Sequence, residues 1–261
     1  MRLEGVRLTP ALGPAGPEER ALPEETPVAL VYNGSTYAVM MASPADLTDF
    51  AIGFTLSEAI ATANEVGEVE VVAHEHGIEA RMWLPEGREA ALASRRRAVA
   101  GPVGCGLCGI DSLAAAVRPL PRVAEPDWRF PLAEVGAALE SLRGHQPLHD
   151  ATRAVHAAGF WQPGRGIVMA REDVGRHNAL DKLIGALARA GIDGASGAVV
   201  LTSRVSVEMV QKAATLGAPV VVAVSSPTAH AVRLADGAGV TLVSAAGRQT
   251  RIFTHPQRVN G

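Results

Sequence analysis

The chain has 261 residues, of which 48% are hydrophobic and only 4% aromatic, and its formal net charge is −3. That length admits one large domain or two modest ones, with a core of Ala, Val and Leu rather than aromatic rings. The slight acidity argues against bulk nucleic-acid binding, which goes with a basic excess; no stretch reaches the ~18 apolar residues of a membrane-spanning helix, and the first residues lack the apolar run of a secretory signal.

The expected compartment is therefore a reducing cytoplasm, where a pair of cysteines more often does chemistry or binds metal than forms a lasting disulfide. Residues 1–26, rich in Pro, Gly and Glu, read as a flexible arm with little structure. Residues 28–32 and 36–41 are β-favouring runs around Asn33-Gly34, the signature of a tight hairpin turn. Ser43-Pro44 resembles a helix start, with Ser as N-cap and Pro at the first helical position. A helix over 46–61 then aligns Leu47, Phe50 and Phe54. Strands are expected at 69–74 and 78–84, a polar and then Gly-rich stretch at 86–104, and a short helix at 111–117.

Residues 119–131 hold four prolines and read as a linker, followed by a helix at 131–142. From 151 onward apolar runs alternate with helical patterns: strands at 166–170, 198–202, 219–225 and 240–243, helices at 177–190, 205–216 and 228–238. Continuous runs such as Val220-Val221-Val222-Ala223-Val224 suit strands buried on both faces. The alternation implies βαβ units, a parallel sheet and helices on both sides. The expected fold class is α/β, with a smaller α+β domain at 27–118 ending in a cysteine loop, a linker at 119–131 and an α/β domain at 132–261.

Gly101-Pro102-Val103-Gly104-Cys105-Gly106-Leu107-Cys108-Gly109 carries the most chemistry. Glycines around two thiols ease unusual backbone angles and let a large molecule approach the sulfur. A thiol must ionise to attack sulfur, and Arg95-Arg96-Arg97 upstream supplies positive potential. Cys105 and Cys108 fit a persulfide carrier or a dithiol oxidoreductase. Half of a zinc site would need two more ligands, and two small buried hydrophobes would not need the glycines.

Arg171-Glu172-Asp173-Val174-Gly175-Arg176-His177-Asn178-Ala179-Leu180-Asp181-Lys182 sits where an expected strand gives way to a helix. Ligands of open α/β sheets bind outside the carboxyl ends of strands, and helix N-termini there favour phosphate. Arg171, Arg176, His177 and Lys182 are candidates to bind phosphates, and Glu172 and Asp173 to accept hydrogen bonds from a base or pterin. Two further loops after strands add Ser203 with Arg204, and Ser226 next to Pro227-Thr228, which also suits a helix cap. A small-residue loop, Ser244-Ala245-Ala246-Gly247-Arg248-Gln249, follows the last long strand.

Together these segments resemble the FdhD/NarQ family of sulfur carrier proteins. The resemblance rests on G-x-x-G-C-G-L-C-G at 101–109, R-E-D-V-G-R-H-N-A-L-D-K at 171–182, T-S-R-V-S-x-E-M-V-x-K-A at 202–213 and V-S-S-P-T at 224–228. It implies a protein that takes sulfur from a cysteine desulfurase as a persulfide on Cys105, with Cys108 assisting. The sulfur passes to the bis(molybdopterin guanine dinucleotide) molybdenum cofactor, bound as a substrate, before insertion into formate dehydrogenase. It also implies a homodimer, no tightly bound metal, and a C-terminal three-layer domain resembling the cytidine deaminase fold. The deaminase metal motif is missing, since Pro227 is followed by Thr228 and not Cys. The 244–249 loop departs from the family pattern, being one residue shorter and lacking its aromatic and early Arg, which leaves Arg248 as the expected anchor. A non-catalytic cofactor-binding chaperone and a dithiol oxidoreductase remain the competing readings.

Overall fold

A computed structural model of the chain describes residues 4–85, 87–88, 120–247 and 249–261. Cys105, Cys108, the arginine run 95–97, the helix expected at 111–117 and Arg248 lie outside the described residues.

The expectation of little structure over residues 1–26 is corrected. β1 (Val6–Gly13) and β2 (Gly16–Pro23) pair antiparallel from Val6↔Pro23 to Gly13↔Gly16. Val6, Leu8, Pro10 and Leu12 alternate along β1, a period-2 signal that the Pro and Gly content obscures. Prolines are tolerated because both strands are edges of a two-stranded sheet. The hairpin is closed at its base by Glu24 N–H donating to Gly5 O (2.7 Å) and by the Arg7–Glu24 ion pair.

The second sheet has the order β4-β3-β6-β5, built from β3 (Thr26–Tyr32), β4 (Ser35–Ala42), β5 (Val69–His74) and β6 (Gly77–Met82). Asn33 and Gly34 take φ of 49° and 75° and form the expected turn between β3 and β4. One face is covered by α1 (Leu47–Ser57), whose Leu47, Phe50 and Phe54 pack on Val28, Leu30, Tyr32, Tyr37, Ala80 and Met82. The helix is shorter than expected, because Ala59 turns to φ 51° and Ile60 N–H caps Thr55 O. Ser43 is not its N-cap. That position belongs to Asp46 (φ 53°), and Ser43 is fully buried, its N–H donating to Asp173 Oδ2 at 2.9 Å.

The larger sheet, among the described residues, has six strands in the order β13-β12-β11-β10-β8-β9. They are β8 (His156–Gln162), β9 (Gly166–Asp173), β10 (Ala198–Leu201), β11 (Val220–Ala223), β12 (Thr241–Ser244) and β13 (Arg251–Ile252). The expectation of a parallel sheet holds only for β10, β11 and β12; β8 is antiparallel to β10, β9 to β8 and β13 to β12. β8 escapes the sequence reading because His156-Ala157-Ala158-Gly159 holds no β-branched residue. It returns into β9 through a turn in which Gly164 and Gly166 both take φ 70°.

Among the described residues five helices accompany this sheet: α2 (Val135–Arg143), α3 (Pro147–Thr152), α4 (Arg176–Arg189), α5 (Val207–Leu216) and α6 (Ala229–Ala238). Alternate side chains of each strand serve opposite faces. Val199, Leu201 and Val221 join the core of α4, α5 and α6, whereas Ala198, Val200 and Val222 join Trp161, Phe130 and the α2 residues Val135, Ala138 and Leu142. The proline-rich stretch is tied down, with Val123 buried and its N–H donating to Ala238 O at 2.9 Å. It ends in β7 (Phe130–Pro131), which pairs with β14 (Val259–Asn260).

α1 and α4 join the two sheets. They touch backbone to backbone at Gly53 and Gly185: a Cβ at Gly53 would lie 1.7 Å from Asp181 O, and one at Gly185 1.9 Å from Asp49 O. Only glycine permits that approach.

Candidate functional site

β9 runs in the same direction as β10, β11 and β12, so the carboxyl ends of all four open onto one edge of the sheet. That edge collects the loops 202–204, 224–228 and 245–247 and the start of α4, which is where an open α/β sheet holds a ligand.

Most of the charged 171–182 motif is consumed by the fold itself. Lys182 is fully buried: Nζ lies 2.7 Å from Asp173 Oδ2 and donates to Ser43 O at 2.9 Å. Asp173 also accepts from Ser43 N–H (2.9 Å), Gly175 N–H (2.8 Å) and Asn178 Nδ2 (3.0 Å), and Asn178 reaches Met41 O (2.8 Å). Glu172 accepts from the N–H groups of Leu148 and His149, both at 2.8 Å, at the start of α3. Burial raises the Glu172 carboxyl above its ordinary value against those two bonds. Arg171 holds Asp49 of α1 with Nη2 at 2.7 Å and Nε at 2.8 Å. Arg171 and Lys182 thus already carry ion pairs within the fold, and Glu172 and Asp173 already accept hydrogen bonds there.

Arg176 and His177 are different. They open α4 after Gly175, an N-cap that makes no side-chain hydrogen bond to the helix. Among the described residues, Arg176 Nε and His177 Nε2 are buried side-chain nitrogens without a hydrogen-bond partner. Glu208 Oε2 lies 3.7 Å from His177 Nε2. Glu208 stands in the first turn of α5 and accepts from Ser206 Oγ at 2.7 Å. Burial pushes its carboxyl up, but the nearby His177 ring, the Ser206 hydroxyl and its own backbone outweigh that and hold it at about 2. His156, at the start of β8, is pushed below its ordinary value by burial and then by Arg176 and His177, so it favours the neutral form.

The other loops contribute unequally. Arg204 and Ser226 are exposed, whereas Ser203 is buried with its hydroxyl donating to Arg204 O at 3.2 Å. Thr228 Oγ1 caps α6 by accepting from Ala231 N–H. Ser244 is buried and accepts from Ala246 N–H (3.2 Å), shaping a loop in which Gly247 takes φ 78°; Ala245 and Ala246 are half-buried and Gln249 is exposed. The edge thus brings together Arg176, His177, Arg204, Ser226 and residues 245–247.

Glu208, Ser206 and His156 received no role from the sequence. Ser206-x-Glu208 reads there as an ordinary helix start, and His156 lies in the unread strand. The 202–213 motif also supplies Lys212, buried in α5, whose Nζ lies 2.8 Å from Asp181 Oδ1, 2.9 Å from Ser57 Oγ and 3.0 Å from Glu58 Oε1, binding α5 to α4 and α1. Among the described residues no group of three or more His, Cys, Asp or Glu could hold a metal ion, and no helix is long and apolar enough to cross a membrane.

The model of the FdhD/NarQ family matches residues 23–260, a span that begins at the end of β2 and includes both cysteines. A sulfur carrier protein FdhD from Agrobacterium fabrum is 51% identical over 253 residues, covering 96% of this chain and 92% of the relative. One from Brucella abortus is 52% identical over 242 residues, covering 92% and 90%. The crystal structure of a proposed formate dehydrogenase accessory protein from Desulfotalea psychrophila superposes with a TM-score of 0.71 at 25% identity, covering 98% of each chain.

Proposed function

The chain belongs to the FdhD/NarQ family, and from that membership we propose that it is a sulfur carrier that serves the maturation of a formate dehydrogenase. The observation that carries this reading is half identity to sulfur carrier proteins over nearly the whole chain, in a sequence whose two cysteines stand three positions apart among glycines.

In the proposed reaction the Cys105 thiolate attacks the outer sulfur of a persulfide on a cysteine desulfurase. The sulfur–sulfur bond of the donor breaks, the donor leaves as a thiolate, and Cys105 keeps a persulfide. The persulfide's sulfur–sulfur bond then breaks, the outer sulfur passes to the reduced bis(molybdopterin guanine dinucleotide) molybdenum cofactor, bound as substrate, whose metal gives the two electrons that take it to sulfide, and Cys105 leaves as a thiolate. Cys108 assists release. The carrier works as a homodimer in the cytoplasm, and its larger sheet is related to the cytidine deaminase fold.

The substrate is proposed to lie along the carboxyl edge. Arg176 and Arg204 supply positive charge, Ser226 a hydroxyl, and the loop of Ala245, Ala246, Gly247, Arg248 and Gln249 a close backbone approach. Arg171 and Lys182 are left out of this set because their charges are already matched by Asp49 and Asp173.

Incubation with a desulfurase and cysteine, followed by peptide mass spectrometry, tests the first step. A gain of ~32 Da on Cys105, one sulfur atom, is expected, and its lasting absence would refute the reading. In cells, Cys105→Ala is expected to abolish formate dehydrogenase activity; full activity would favour a chaperone that binds the cofactor without carrying sulfur.

A further inference from the structure

The enclosed nitrogen of His177 faces a carboxylate that is already fixed in place. Glu208 Oε2 receives the Ser206 hydroxyl at 2.7 Å and lies 3.7 Å from His177 Nε2. Nε2 is buried without another partner among the described residues, while the His177 side chain keeps 15% of its surface exposed. A lone pair on Nε2 would point at an ionised acceptor, whereas a hydrogen there points at its natural partner. A small turn of the ring brings that hydrogen into bonding range, and a buried donor gains by being matched. In a neutral imidazole the nitrogen that carries the hydrogen is set by its bonding partner.

We propose that Glu208 is a positioning residue that fixes His177 with its hydrogen on Nε2, leaving Nδ1 as a hydrogen-bond acceptor for a bound ligand. His177 then reads a ring N–H or a hydroxyl and is not a phosphate clamp. Arg176 beside it supplies donors for an anionic oxygen. The pair complements a ligand that offers both groups, as a nucleotide with a heterocyclic N–H does. The ligand half of this assignment rests on the carboxyl-edge reading above; the tautomer half does not.

Long-range proton–nitrogen correlation spectra of the full-length protein without ligand decide the tautomer. Wild type is expected to show His177 with Nε2–H, Glu208→Ala a mixture with Nδ1–H, and Glu208→Gln, which keeps an acceptor oxygen, the wild-type form. A wild-type spectrum with Nδ1–H, or no change in Glu208→Ala, overturns the assignment. Calorimetric titration with guanosine diphosphate and with inorganic pyrophosphate tests the ligand group. Glu208→Ala is expected to weaken guanosine diphosphate by about two- to threefold, in proportion to the Nε2–H form lost, and to leave pyrophosphate unchanged. Equal loss for both makes His177 a phosphate contact and overturns the ligand half. Failure of wild type to bind guanosine diphosphate overturns it too and counts against the edge as the site, whereas the tautomer result stands by itself.

Discussion

Replacing Lys182 with Met separates the two roles a buried cation in this motif could have. The ammonium is fully buried, 2.7 Å from Asp173 Oδ2, and donates to Ser43 O. Removing one partner of a buried ion pair costs ~3–5 kcal/mol because the other charge stays behind. Asp173 retains three donors, from Ser43 N, Gly175 N and Asn178 Nδ2, so the lower end, about 3 kcal/mol, applies. For a chain of this size each kcal/mol moves the unfolding midpoint by ~2–4 °C, which gives a fall of roughly 6–12 °C. Differential scanning calorimetry at pH 7 measures it, and titration of the folded variant with guanosine diphosphate should return the wild-type affinity. A fall under about 3 °C would refute the assigned structural role. An intact midpoint with lost affinity would return Lys182 to the ligand site.

Gly53→Ala forces a Cβ to within 1.7 Å of Asp181 O, so α1 and α4 must separate; thermal unfolding should show a loss of several kcal/mol and little folded protein on expression. Glu208 has its carboxyl lowered from 4.5 to about 2 in the folded state. Its contribution is therefore complete above the unfolded value and disappears as pH falls through the folded one. The midpoint difference between wild type and Glu208→Gln should accordingly shrink between about pH 4.5 and pH 2, and a difference that stays constant down to pH 2 would contradict the lowered value. A double-mutant cycle of Asp49→Asn with Arg171→Met, read by urea unfolding, should give a coupling energy of about 1–2 kcal/mol, since the guanidinium meets Asp49 through both Nε and Nη2; additive losses would show the pair to be incidental.

The features legible in the sequence are those set by local chemistry. Asn33-Gly34 specifies its own turn, and the apolar run at 220–224 announces a strand buried on both faces. The direction of pairing is less visible, because periodicity is the same in parallel and antiparallel ladders; hence β8 and β9 bring an antiparallel pair to a sheet expected to be parallel. The charge density of 171–182 falls where β9 gives way to α4, but the use of each charge depends on residues far away in the chain. Lys182 and Asp173 meet Ser43, and Arg171 meets Asp49, across separations of 122 to 139 residues. No local pattern distinguishes such a cation from one that faces solvent. Arg176 and His177 are set apart only by what fails to meet them.

The glycine seam between α1 and α4 has a mechanical consequence. Helices in direct main-chain contact cannot slide or tilt without collision, so the two sheets travel as one rigid frame. The chain leaves the smaller sheet at Leu84, pinned by Asn33 Oδ1 at 2.8 Å, and at Arg88, held to Glu65 at 2.7 Å. Leu120 packs against the core of the larger sheet. Leu84, Arg88 and Leu120 are therefore each fastened to the frame that carries the carboxyl edge.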